Sequence, residues 1–121
     1  MGVNIRIKRS YDNAESTDGY RVLVDRLWPR GLSKASFKYD EWYKALAPST
    51  ELRKWFGHDP NKWSEFQKRY LAELNGDEQQ KQLNALIEKA KNSTITLLFS
   101  AKDTKHNQAV VLAAELKRLA R

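Results

Sequence analysis

The sequence predicts an α/β fold, a compact single-domain layered sandwich with a small, largely parallel sheet flanked by helices. Three observations carry that expectation. Val3, Ile5 and Ile7 alternate with Asn4, Arg6 and Lys8, the period of a half-buried strand. Thr94-Ile95-Thr96-Leu97-Leu98-Phe99-Ser100-Ala101 is nearly continuous in apolar content, as expected of a parallel strand covered on both faces. Between and after such runs, apolar residues recur at helical spacing and are bounded by capping residues, Gly or Pro. Strands separated by helices build layered α/β folds.

In chain order, the first strand gives way to a polar, turn-forming stretch from Asp12 to Gly19. Tyr20-Arg21-Val22-Leu23-Val24-Asp25 follows as a second strand, introduced by the Asp18-Gly19 turn. Pro and Gly make Trp28-Pro29-Arg30-Gly31-Leu32-Ser33 a loop. Phe37 to Leu46 reads either as a short strand or as a helical turn. Ser49 is placed as the N-cap of a helix whose stripe is Leu52, Trp55 and Phe56 and which Gly57 ends. Asp59-Pro60 starts the next helix, with Trp63, Phe66, Tyr70, Leu71 and Leu74 at helical spacing up to Asn75-Gly76. Asp77 is expected to open a third helix, with Gln80 completing a capping box, over the stripe Leu83, Leu86, Ile87 and Ala90. Asn92-Ser93 breaks the chain before the most buried strand. The last helix, from about Gln108 to Leu119, buries Val111, Leu112, Leu116 and Leu119 and carries Lys117, Arg118 and Arg121 near its negative end. No repeat, linker or low-complexity tract divides residues 1–121, so one domain is expected.

Composition excludes whole classes of function. At 121 residues and 40% hydrophobic content, the chain is long enough to bury a core without staples. It contains no Cys, which removes disulfides, thiolate metal sites and cysteine nucleophiles. Two His without His-x-x-x-His spacing make no zinc site. No G-x-G-x-x-G, P-loop or G-x-S-x-G string is present, so no dinucleotide, nucleoside-triphosphate or serine-hydrolase signature appears, and no metal or cofactor is called for. The first nineteen residues hold no apolar stretch long enough for a signal peptide, so none is expected; no apolar run reaches membrane-spanning length, and Arg6 stands where a myristoylation motif wants Ser or Thr after Gly2. A cytoplasmic, bacterial protein is expected. The formal charge is +7, with acids and bases interleaved along the chain rather than gathered in a tail. Such a surplus suits either a soluble Lys-rich surface or a face for an anionic partner.

Ligands of parallel α/β sheets sit beyond the carboxyl ends of the strands, which singles out two segments. Asp25-Arg26-Leu27-Trp28-Pro29-Arg30-Gly31 leaves the second strand. Its guanidiniums, Arg26 and Arg30, suit bidentate recognition of phosphate or carboxylate; alternatively Asp25 pairs with one of them as a structural ion pair and Trp28 is core. Ser100-Ala101-Lys102-Asp103-Thr104-Lys105-His106-Asn107 leaves the last strand into a helix, a junction that offers free backbone N–H groups to an anion. Lys102 and Asn107 join the ligand-binding candidates. Asp25, Asp103 and His106 are the catalytic candidates, with Asp103 orienting the imidazole as general acid or base. The plain alternative is that Asp103 or Asn107 caps the helix and His106 lies at the surface. His58 is read as a cap or loop residue. The aromatics Trp42, Tyr43, Trp55, Phe56, Trp63 and Phe66 read as core rather than as base-stacking platforms. The leading expectation is a pocket for a phosphate-bearing or carboxylated small molecule, a nucleotide or nucleoside among the choices. A nucleic-acid-binding module using the basic surface is the alternative.

The strings Val24-Asp25-Arg26-Leu27-Trp28-Pro29-Arg30-Gly31, Ala47-Pro48-Ser49 with Leu52-Arg53-Lys54-Trp55-Phe56, and Leu97-Leu98-Phe99-Ser100-Ala101-Lys102-Asp103 with Asn107-Gln108-Ala109 resemble the YeaO-like family, domain of unknown function 488. The resemblance runs through nearly the whole chain. It implies a small single-domain α/β protein and no particular reaction. Some relatives carry the label uroporphyrin-III C-methyltransferase, but this chain has no glycine-rich loop for S-adenosylmethionine. Broader members are described as bearing functional cysteines; with none here, no thiol chemistry carries over.

Overall fold

The computed structural model describes residues 3–120; Gly2 and Arg121, singled out above, lie outside them. Four strands form one sheet in the order β1-β4-β2-β3: β1 is Ile5–Arg9, β2 Tyr20–Leu23, β3 Glu41–Trp42 and β4 Ile95–Phe99. All three pairings are parallel. The helices are α1 (Thr50–Phe56), α2 (Trp63–Glu73), α3 (Asp77–Ala90) and α4 (Gln108–Leu119). The segment left open between strand and turn holds both, β3 followed by a 3-10 turn at Lys44–Leu46. No helix among the described residues is long and apolar enough to cross a membrane.

The two faces of the sheet are covered differently. Partners in register share a face, so Ile5 with Ile95, and Val22 with Leu97, form one apolar surface. The helices pack there through Leu52, Phe56, Phe66, Tyr70, Leu83, Leu86, Leu112 and Leu116, all buried. The opposite face carries Arg6, Lys8, Arg21, Thr96, Leu23 and Leu98 in register, and loops cover it instead of helices. Phe37, with half-buried Trp28 and Tyr39, packs on Leu23 and Leu98. Asp18 fills the rest, its side chain fully enclosed. It takes Lys8 Nζ at 3.1 Å, the Glu15 N–H at 3.0 Å and a short bond from Arg21 Nη1. Every residue of β4 is buried between these two coverings.

The local signals explain most boundaries. Ser49 Oγ accepts from the Leu52 N–H at 3.1 Å, and Gly57 ends α1 in the left-handed region at φ 52°. Asp59 caps a 3-10 turn at Pro60–Lys62 that leads straight into α2. The expected capping box at Asp77 is not formed. Gly76 occupies the cap in an extended conformation, which makes Asp77 the first helical residue, and Gln80 Nε2 reaches back to the Leu74 carbonyl at 2.8 Å. Asp77 still favours the positive end of the helix dipole. Gly19 is required where it stands: at φ 67°, a Cβ would lie 2.3 Å from the Thr94 carbonyl oxygen.

Candidate ligand-binding site

The carboxyl ends of β1, β2 and β4 open together onto a concavity of about 470 Å³. Its floor is Asp25, Ser100, Ala101 and the turn His106-Asn107-Gln108. One wall is the α1 segment, which presents Pro48, Arg53, Phe56 and His58, backed by Phe66 of α2. Tyr11 and residues Arg26, Leu27, Trp28, Pro29 and Arg30 complete the lining.

Asp25 forms no ion pair with Arg26 or Arg30, so the structural-pair alternative is corrected. Its carboxylate accepts from the Ser100 N–H at 2.8 Å and, in a short bond, from Gln108 Nε2. Burial pushes its carboxyl above the ordinary value; the bonds from Ser100 and Gln108 and the charge of Arg53 oppose this without cancelling it. Arg26 is half-buried and donates from Nε to the Pro48 carbonyl at 3.0 Å and from Nη2 to the Ala47 carbonyl at 3.2 Å. It therefore ties the exit of β2 to the entrance of α1. Arg30 is exposed on the rim, where its carbonyl accepts the Tyr11 hydroxyl at 2.9 Å.

The second segment forms the dyad that the spacing suggested. His106 Nδ1 lies 2.9 Å from Asp103 Oδ2, and the ring meets Trp63 edge-on at 5.2 Å. With Nδ1–H donated to Asp103, Nε2 is the nitrogen left for a ligand. Asp103 Oδ1 also accepts the N–H groups of Lys105 and His106. The Lys105 N–H, followed by the His106 ring, holds its carboxyl below the ordinary value. His106 faces the concavity, while Asp103 and Lys102 are outside its lining. Asn107 is buried and is the cap of α4: its oxygen accepts from Ala109 and Val110, and Nδ2 donates to the Asp103 carbonyl at 2.9 Å.

The lining residues that were not among the candidates include Tyr11, Arg53, His58 and Gln108. Arg53 had a readable signal, since it precedes Phe56 by three positions and so shares its side of α1. His58 had none, because its placement follows from two successive left-handed residues, Gly57 and His58 itself at φ 59°. Non-glycine residues hold that conformation only under constraint from their surroundings.

The lining is cationic in balance. Three guanidiniums and two imidazoles face a single carboxylate, and that carboxylate is already hydrogen-bonded on both oxygens. Fold and site together define a small α/β domain with a cation-lined concavity at the carboxyl edge of a parallel sheet. The chain belongs to the YeaO-like family, domain of unknown function 488: the family described as "Inactive DUF488-N3 subclade" matches residues 4–121. It is 51% identical to the Uncharacterized protein YeaO of Escherichia coli K12 over 117 residues, which is 97% of this chain and 100% of that protein. It is 37% identical over 109 residues, 90% of each chain, to the uncharacterized proteins Rv3073c of Mycobacterium tuberculosis and Mb3100c of Mycobacterium bovis. No solved structure matches the chain.

Proposed function

We propose that this protein binds a phosphate-bearing or carboxylated small molecule in the concavity and holds it without turning it over. The observation that carries the reading is the lining itself, with Arg30, Arg53, His58 and His106 around one satisfied carboxylate. Guanidinium forks recognise such anions in bidentate fashion, and the partly shielded floor weakens the competition from water. Two facts favour binding over catalysis. The subclade is described as inactive, and the chain has no cysteine nucleophile. Asp25 then serves to hold the Ser100 N–H and Gln108 in place, Asp103 orients His106, and Asn107 and Arg26 fix the backbone around the site. Lys102 adds a positive charge beside the site without lining it. The reading places the protein in the cytoplasm, among phosphorylated metabolites.

Nucleic-acid binding through the basic surface draws less support. Trp42, Tyr43, Trp55 and Trp63, which that reading would use to stack bases, are all partly buried, and Phe56 and Phe66 are buried outright.

Thermal unfolding against phosphate, pyrophosphate, nucleotides and carboxylated metabolites tests the proposal. A ligand at 100 times its Kd should stabilise by about 2.7 kcal/mol, roughly ten degrees for a chain of this size. Arg53→Ala should abolish that shift and leave the unliganded Tm unchanged, because the residue is exposed. An undiminished shift in Arg30→Ala and Arg53→Ala would defeat the proposal. Stabilisation by oligonucleotides alone, fading steeply with salt, would favour the nucleic-acid reading instead.

A further inference from the structure

The mouth of the concavity is not uniformly polar. Only three large hydrophobic side chains are exposed among the described residues, and two of them, Leu27 at 60% and Tyr11 at 40%, line this site. Tyr11 is held from both ends. Its hydroxyl is bonded to the Arg30 carbonyl at 2.9 Å, and the Arg9 guanidinium lies 4.9 Å from its ring centroid. Arg9 is itself fixed, donating to the Ala101 and Ser100 carbonyls at 3.0 Å each. An exposed ring held in this way loses little freedom when a second ring packs on it.

Arg53 and His58 line the same concavity as this apolar pair. The concavity they share, about 470 Å³, falls in the ordinary range for organic ligands and is several times what an inorganic anion fills. We infer that the ligand is a nucleoside monophosphate, with its phosphate on Arg53 and His58 and its base against Tyr11 and Leu27. The inference rests on the anion-binding reading above and adds the ring. It also assigns Tyr11 and Leu27 a function as specificity-determining contacts: they distinguish a phosphate that carries a planar group from one that does not.

The experiment compares the four common nucleoside 5′-monophosphates with ribose 5-phosphate by calorimetric titration of the full chain. At least one nucleotide should bind about tenfold or more tightly than ribose 5-phosphate, the scale of one base–aromatic stack. Tyr11→Ala and Leu27→Ala should remove that advantage and leave ribose 5-phosphate binding unchanged. Tyr11→Phe, which keeps the ring, should retain most of it. Arg53→Ala should weaken both ligands together. Equal affinity for nucleotides and ribose 5-phosphate overturns this inference and leaves the anion site standing. Failure of all five to bind overturns this inference, and the anion site then stands or falls by the phosphate, pyrophosphate and carboxylate arms of the thermal panel. Tight binding of single-stranded oligonucleotides with no affinity for mononucleotides also overturns it.

Discussion

Two aspartates lie seven positions apart, Asp18 and Asp25, and the fold treats them in opposite ways. Asp18 is enclosed among cations. Burial alone would push its carboxyl up, but the Glu15 N–H, Lys8 and Arg21 outweigh that and hold it below the ordinary value. Asp25 is enclosed against neutral donors, and its carboxyl is raised. A buried carboxylate paired with cations is part of the scaffold, whereas one raised by burial is the kind of group that the proposed site would have at its floor.

The contrast is broken most severely at Asp18. Asp18→Ala leaves Arg21, itself buried, without its counter-ion and should cost about 3–5 kcal/mol, read by urea unfolding. Gly19→Ala attacks the same corner. A new Cβ 2.3 Å from the Thr94 carbonyl oxygen, at φ 67°, should cost about 2–3 kcal/mol, and the loss should exceed that of Gly57→Ala, where the nearest atom is 3.7 Å away. Asp25→Asn should leave stability at neutral pH within about 1 kcal/mol of the parent, or raise it, since it removes a charge that burial disfavours while keeping an acceptor for the Ser100 N–H.

The pH dependence sharpens the same difference. The folded carboxyl of Asp18 titrates below its unfolded value of about 4, so its contribution is full above that pH and is lost as pH falls through the folded value. Asp25 titrates above its unfolded value, so its contribution is full below about pH 4 and is lost as pH rises through the folded value. Each branch should vanish from the stability–pH curve of its own Asn variant and persist in the other. The smallest effect is expected at His58→Gly. Releasing its φ of 59° should stabilise the chain by up to about 1 kcal/mol while weakening phosphate binding, so a variant that gains in Tm and keeps full affinity would remove His58 from the site.

Helix boundaries were legible in the sequence because caps and breakers act locally: Ser49 and Gly57 bound α1 and Asn107 caps α4, while Asp59-Pro60 opens the 3-10 turn before α2 rather than α2 itself. The buried central strand was legible for the same reason, as a run of apolar residues. The covering of the second face was not, since nothing in residues 10–18 or 28–40 has the periodicity of a layer; these loops pack through single residues such as Asp18 and Phe37. At the site, the strand-end rule pointed to both loops and to the Asp103–His106 pair. It passed over α1, because Arg53 and His58 reach the concavity through the docking of a helix far from either strand end in sequence.

The strand order carries a consequence for how the chain is made. β1 and β2 each pair with β4 and not with one another, and β4 begins only at Ile95. During synthesis at about 5–20 residues per second, the first two strands therefore wait several seconds without the neighbour that completes them. Among the described residues, β2 has an earlier option in its two-residue ladder with β3, and β1 has none. Over that interval Ile5, Ile7, Val22 and Val24 are exposed on a nascent polypeptide that has no sheet to join. Closure depends on the most distant pairing in the fold, and non-local pairing of this kind is the slow step of assembly. Truncation before Ile95 should accordingly yield an aggregation-prone fragment rather than a smaller folded one.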